Sequence, residues 1–276
     1  MVRYVTAEAP VLRVQAALGE GVLWDSREQR LYFVDIDRRR VYTYEPSSGI
    51  YGYETFPSKM SCLALREDRK GLISTSESSF EIIPPSSLPF PPTNSDSPRE
   101  TIDITPGMKS RLPKGTYRFN EGVCDPAGRF MAGTMGHKSG TFDGAVYRLD
   151  PKDNKAPSGE GMYDGDLIME GVTCTNGTGW AKADKKMSGP SGWTNRIFVF
   201  DYDAHNGSFG NKRIFSDLED PEYGFPDGLC MDDQGSQNIL DQIHLLSDFL
   251  KMVFGRPVGV PGRSSDSTDP EHLMSL

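Results

Sequence analysis

Gly21-Val22-Leu23-Trp24-Asp25-Ser26-Arg27-Glu28-Gln29-Arg30-Leu31-Tyr32-Phe33-Val34-Asp35 places two β-prone runs on either side of a polar turn. Such a stretch reads as a β-hairpin, because aromatic and branched residues favour a pleated surface and the polar residues between them favour reversal. The pattern returns at 62–73 (Cys62-Leu63-Ala64-Leu65 to Leu72-Ile73) and at 122–133 (Gly122-Val123-Cys124 to Phe130-Met131-Ala132-Gly133). It returns more weakly at 179–187, and a last time at 228–235, where Gly228-Leu229-Cys230-Met231 precedes Asp232-Asp233-Gln234-Gly235. Strand-like runs lie between these units at 40–44, 144–149 and 196–202; the last two alternate with period two. The recurrence distance, stretched by insertions, is about one propeller blade of roughly 40 to 50 residues.

These repeats predict an all-β domain over residues 1–235, with about five recognisable blades. Two stretches break the rhythm. Residues 84–98 are rich in Pro and Ser and read as a surface loop, with a flap over a pocket as the functional alternative. Residues 236–276 form an atypical tail. Ile239, Leu240, Ile243, Leu246, Phe249, Leu250, Val253 and Phe254 follow an i, i+3, i+4 stripe, which predicts a helix over 238–254, with disorder after it.

The 276 residues carry a net charge of −9, which disfavours a nucleic-acid partner. No apolar run reaches the roughly 18 residues that a membrane span requires, and the first residues lack a signal-peptide pattern. A cytoplasmic protein is therefore expected. Cys62, Cys124, Cys174 and Cys230 form no CxxC pair and read as small core residues. No Gly-x-Ser-x-Gly elbow and no Gly-rich phosphate loop is present.

Gly19-Glu20-Gly21, Thr175-Asn176-Gly177 and Pro226-Asp227-Gly228 place an oxygen donor in a Gly-flanked turn in phase with the repeats. Equivalent positions of successive blades face one channel, so the three are expected to meet. Two carboxylates and one amide oxygen suit a hard dication such as Ca²⁺ or Mg²⁺. Zn²⁺ is more often held by His or Cys. In Arg118-Phe119-Asn120-Glu121-Gly122, Arg118 and Asn120 share a side of an extended segment. A guanidinium beside an amide suits a polyhydroxylated or carboxylated substrate.

In this order the motifs resemble the SMP-30/gluconolactonase/regucalcin family. The resemblance rests on Leu18-Gly19-Glu20-Gly21 with Trp24-Asp25, on Leu31-Tyr32-Phe33-Val34-Asp35-Ile36, and on Arg118-Phe119-Asn120-Glu121-Gly122. Asp125-Pro126-Ala127-Gly128-Arg129-Phe130, Gly133-Thr134-Met135, Asn176-Gly177 and Phe225-Pro226-Asp227-Gly228 complete it. It implies a six-bladed β-propeller that opens sugar lactones with one divalent cation, Ca²⁺ foremost, with Mg²⁺, Mn²⁺ or Zn²⁺ as alternatives. It further implies that Glu20, Asn176 and Asp227 hold the metal, that Asp227 activates water, and that Arg118 and Asn120 contact the substrate.

Three departures from the family pattern carry expectations of their own. Ser188-Gly189-Pro190-Ser191-Gly192-Trp193 lacks strand character, which predicts a malformed blade. Gly136-His137-Lys138 replaces an acidic residue that some members carry. The chain also reads as about one blade short. A non-catalytic calcium-binding regulatory protein, or an inactive truncated variant, are the alternative readings.

Overall fold

The structure, a computed structural model, describes residues 10–68, 70–136, 143–149, 165–181, 186–191, 196–217, 226–231 and 237–241. The first sheet contains β1 (Gly19–Asp25), β2 (Arg30–Asp35), β3 (Arg40–Glu45), β4 (Ile50–Thr55) and, at its far edge, β8 (Ser95–Pro98). The second contains β5 (Leu63–Leu65), β6 (Leu72–Thr75), β7 (Phe80–Ile83) and β9 (Ile102–Asp103). The third contains β10 (Thr116–Cys124), β11 (Phe130–Gly136), β12 (Gly144–Leu149) and β13 (Asp166–Val172). The fourth contains β14 (Gly179–Ala181), β15 (Lys186–Ser191), β16 (Arg196–Asp203) and β17 (Ser208–Asp217). β18 (Pro226–Met231) and β19 (Gln237–Asp241) pair as a two-stranded fifth sheet.

Apart from β8, each sheet is an antiparallel meander, and the first strands of neighbouring sheets lie side by side: β1 against β5, β5 against β10, β14 against β18. Radial repetition of small meanders is the architecture of a β-propeller. The core confirms it, because apolar clusters alternate with the sheets. Along β2, Val34 points to a cluster shared with the second sheet (Phe56, Met60, Leu63, Ile83), while Phe33 points to the opposite face with Leu12 and Tyr42. Successive strand residues face opposite sides, so a strand buried on both faces must be apolar at consecutive positions. Phe80, Phe119, Phe130 and Tyr147 fill the layer between the second and third sheets. Phe119 meets Phe80 and Tyr147 at ring-centroid distances of 5.2 and 6.1 Å. Met131, Phe200 and Tyr202 fill the next layer, and Ile197 with Leu229 the one after it.

Three expectations are corrected by these strands. Gln237–Asp241 is a strand paired with β18, not the start of a helix. An adjacent apolar pair such as Ile239-Leu240 fits either period, and pairing with β18 decides in favour of the strand. The rest of the predicted helix, the predicted disorder from 255 and the His137 departure lie outside the described residues. Lys186–Ser191 is a strand, paired along its whole length with β16 from Lys186↔Asp201 to Ser191↔Arg196. Pro190 lies beyond the three positions at which β14 pairs with β15, so its missing N–H is tolerated at a place with one strand neighbour.

The segment 84–98 covers an edge rather than a pocket. After a single 3₁₀ turn at Pro85–Ser87 it returns to the first sheet and adds β8 in parallel beside β4. Glu54 anchors it, accepting from the Thr93 backbone N–H at 2.6 Å and from Arg99 Nε at 2.7 Å. The Arg30 guanidinium lies over the Phe90 ring at 3.9 Å. An open strand edge invites pairing with other chains, and this strap occupies the outer edge of the first sheet.

Candidate functional site

Three of the innermost strands carry the same irregularity. On β1, Glu20 pairs with Val34 and Leu23 with Tyr32, three steps against two, so one extra residue is inserted. On β10, Phe119 pairs with Thr134 and Gly122 with Ala132; on β18, Pro226 pairs with Asp241 and Leu229 with Ile239. Each is a β-bulge, which bends its strand and redirects the side chains it carries. The bulged stretches hold Glu20, Asn120 with Glu121, and Asp227. Asn176 occupies the matching place in the fourth sheet, shortly before β14.

Two of the glycines that follow a donor have a steric reason. A Cβ at Gly122 would come within 2.6 Å of Cys62 Sγ, and one at Gly177 within 2.1 Å of the Leu229 backbone nitrogen. Inner strands approach too closely there for any side chain.

Hydrogen bonds join these positions across sheets. Arg118 Nη1 donates to Asn120 Oδ1 at 2.6 Å and to the Phe119 carbonyl at 2.8 Å. Asn120 Nδ2 donates to Asn176 Oδ1 at 2.9 Å and to the Thr175 carbonyl at 2.7 Å. Asn176 Nδ2 donates to the Pro226 carbonyl at 2.9 Å, and the Gly177 N–H donates to the Asp227 carbonyl at 2.8 Å. Arg118, Asn176 and Asp227 are buried.

Glu20 joins the group electrostatically. Burial pushes its carboxyl well above the ordinary carboxylate range, and the negative charges of Asp227 and Glu121 push it further, with Arg118 opposing. Glu121 is pushed up to about 8, again by burial first and then by Asp227. The five residues singled out from sequence, Glu20, Arg118, Asn120, Asn176 and Asp227, are therefore brought together. Sequence reasoning missed Glu121. Its signal was present, since Glu121-Gly122 repeats the donor-Gly pairing of Glu20-Gly21, Asn176-Gly177 and Asp227-Gly228.

The donor chemistry suits a hard cation. Among the described residues no group of three His, Cys, Asp or Glu side chains stands ready to hold a metal ion. Asn176 brings a neutral amide oxygen to the carboxylates of Glu20 and Asp227, an oxygen set of the kind hard dications prefer. Carboxylates that raise one another's proton affinity are also the groups a positive charge would return to the ionised form.

Repeated meanders with oxygen-bearing side chains on the bulges of their inner strands define a β-propeller whose candidate site draws residues from several sheets at once. The chain belongs to the SMP-30/Gluconolactonase/LRE-like region family, whose pattern it matches over residues 18–237. Regucalcin of Gallus gallus is 29% identical over 223 residues, covering 79% of this chain and 66% of that protein. Pentonolactonase XacC of Haloferax volcanii is 27% identical over 228 residues, covering 82% of this chain and 67% of that protein. The solved structure of a regucalcin from Agrobacterium tumefaciens, described as a calcium-binding protein, superposes with a TM-score of 0.68 at 19% identity, covering 86% of this chain and 71% of that one. The chain thus spans about two thirds of the length of the relatives it matches. Among the described residues no helix is long and apolar enough to cross a membrane.

Proposed function

We propose that this chain opens sugar lactones by hydrolysis that depends on a divalent cation. The observation that carries this reading is the hydrogen-bonded run Arg118–Asn120–Asn176–Pro226, which ends on the residue before Asp227, whose charge acts on Glu20. Membership of a family that includes a named pentonolactonase supports the substrate class.

Glu20, Asn176 and Asp227 would hold the cation, Ca²⁺ foremost. When bound, it would polarise the lactone carbonyl and stabilise the negative charge that develops on its oxygen. Arg118 and Asn120 contact the substrate, Arg118 by donating to its oxygens and Asn120 by holding the guanidinium in place through its own oxygen. Asp227 accepts a proton from the attacking water. The new C–O bond forms at the carbonyl carbon, the ring C–O bond breaks, and the released alkoxide takes up a proton. The product is an open-chain hydroxy acid. A lactone is already an activated ester, so no covalent nucleophile is required.

The test is hydrolysis of an aldonolactone panel by the purified protein with Ca²⁺, Mg²⁺, Mn²⁺ or Zn²⁺, and with EDTA. Turnover that requires a cation supports the reading. Equal rates with and without chelator would remove the metal-dependent mechanism. Cation binding without turnover of any lactone would favour a binding protein instead.

A further inference from the structure

Beside the candidate site, a second set of polar groups spans three sheets. Lys59 Nζ donates to Asp37 Oδ1 and to the Tyr117 hydroxyl, each at 2.8 Å. Asp37 lies in the turn between β2 and β3, Lys59 on the approach to β5, and Tyr117 on β10. The strand pairings put this set at the same end of the sheets as the oxygen donors. β1 begins and β2 ends where Gly19 pairs with Asp35, next to Glu20, and the turn that carries Asp37 follows directly. β10 begins where Thr116 pairs with Gly136, just ahead of Arg118. Ser61, close after Lys59 in the chain, donates its hydroxyl to the Phe119 carbonyl at 2.7 Å.

A bulge aims Tyr117 at this set. Thr116 pairs with Gly136 and Arg118 with Met135, two steps against one, so Tyr117 is an inserted residue. In a regular strand, neighbouring side chains face opposite sides. Here the Arg118 guanidinium carbon lies 5.9 Å from the centroid of the Tyr117 ring, and Lys59 Nζ lies 5.2 Å from it. The exposed Tyr117 ring therefore links Lys59 to the guanidinium of the candidate site.

Stability does not account for the arrangement, because exposed ion pairs stabilise a fold little. An ammonium has three protons to donate, and a carboxylate has two accepting oxygens. Among the described residues Lys59 spends two of those protons, and Asp37 one of those oxygens. One donor and one acceptor remain for water or a ligand, on a pair whose Asp37 side chain is half exposed. A hydroxyl group both donates and accepts, so it complements them. The charge of the pair is already balanced, which suits neutral hydroxyls better than a second anionic group.

We propose that Asp37, Lys59 and Tyr117 form a specificity rim, which binds hydroxyl groups of the lactone remote from its ester and seats a C–H face of the sugar on the Tyr117 ring. The proposal rests on the hydrolytic reading above and names the residues that select a polyhydroxylated ring over a bare one. A few placed polar groups around an apolar surface are what fixes the orientation of a small ligand. Arg118 meets the reacting end, and the rim meets the far end.

The experiment measures kcat/KM, with Ca²⁺ present, for D-glucono-δ-lactone and for δ-valerolactone, which has the same ring without hydroxyls. The proteins are the wild type, Lys59→Met and Tyr117→Phe. Either substitution should lower the ratio of the two values by roughly three- to tenfold, the size of one lost hydrogen bond. The loss should fall mainly on KM for the hydroxylated lactone. A purely structural role would lower both substrates alike and leave the ratio intact. A ratio unchanged in both variants, in a protein that does hydrolyse lactones, overturns the rim and spares the hydrolytic reading. Absence of turnover for every lactone removes the hydrolytic reading, and calorimetry with D-glucono-δ-lactam, which resists opening, then decides the rim. Binding weakened threefold or more in K59M or Y117F supports it. No binding to the wild type, or equal binding in all three proteins, overturns it.

Discussion

Asn176 donates its side-chain amide to the Pro226 carbonyl at 2.9 Å, fastening the approach to β14 to the residue immediately before Asp227. The same side chain accepts from Asn120 through its oxygen. One buried amide therefore holds three sheets in register. Asn176→Ala should cost about 1–3 kcal/mol, since it strands a buried carbonyl. Thermal unfolding with and without Ca²⁺ measures both the loss and the expected weakening of the cation's stabilising effect.

Asp227→Asn separates chemistry from architecture. The amide keeps the shape and removes one negative charge from a crowded group, so the fold should hold. As the proposed base, Asp227 should account for about 10²- to 10⁴-fold in kcat/KM. Steady-state kinetics beside a melting curve decides. An unchanged rate would shift the role to Glu121 or Glu20.

Glu121 sets a pH dependence whose sign can be worked out. Its carboxyl titrates near 8 in the folded chain, well above its value in the unfolded one. Between those two values the folded state binds the extra proton, so its contribution to stability falls as pH rises through that window. Cations compete with that proton, so cation affinity should rise from pH 6 to pH 9 and binding should release protons. Glu121→Gln should flatten the pH profile of cation-free stability. Calorimetry in buffers of different ionisation enthalpy counts the protons released.

Asp125, Arg129 and Tyr202 clasp the third sheet to the fourth. Arg129 Nε meets Asp125 Oδ2 at 2.5 Å, Arg129 Nη2 reaches the Ala204 carbonyl at 2.7 Å, and the Tyr202 hydroxyl donates to Asp125. Burial alone would raise the Asp125 pKa; the bonds from Tyr202 and Arg129 outweigh it and hold the carboxyl below its usual range. The clasp is therefore intact above the ordinary carboxylate range and lost as pH falls through the lowered folded value. Arg129→Ala leaves a buried carboxylate unpaired and should cost about 3–5 kcal/mol. Denaturant titration checks it, and Tyr202→Phe should cost clearly less.

Hairpins were legible wherever two β-prone runs flank a polar turn, and the turn at 26–29 between β1 and β2 falls where the pattern predicts it. The donor-Gly phase was legible too, because residues at equivalent blade positions converge. What escaped depends on pairing rather than on local preference. Ser188-Gly189-Pro190 has no strand character of its own and is extended because β16 lies beside it. The strap at 84–98 is fixed by Glu54, which lies 39 residues before Thr93 and 45 before Arg99 in the chain. Glu121 was overlooked because strict alternation sends it away from Asn120's side, and only a bulge releases it from that rule. The cavity of about 70 Å³ between the third and fourth sheets is a product of side chains from six strands and has no signature in any one of them.

The inserted residues on β1, β10 and β18 make the donor set a matter of counting. Deleting one residue from such a strand would restore the ladder and swing its acid to the opposite face, leaving the hairpin itself intact. Insertion at the same rung of β5 would do the reverse. The number of acidic side chains turned toward the shared site is thus adjustable one residue at a time, without disturbing the apolar layers that hold the sheets together.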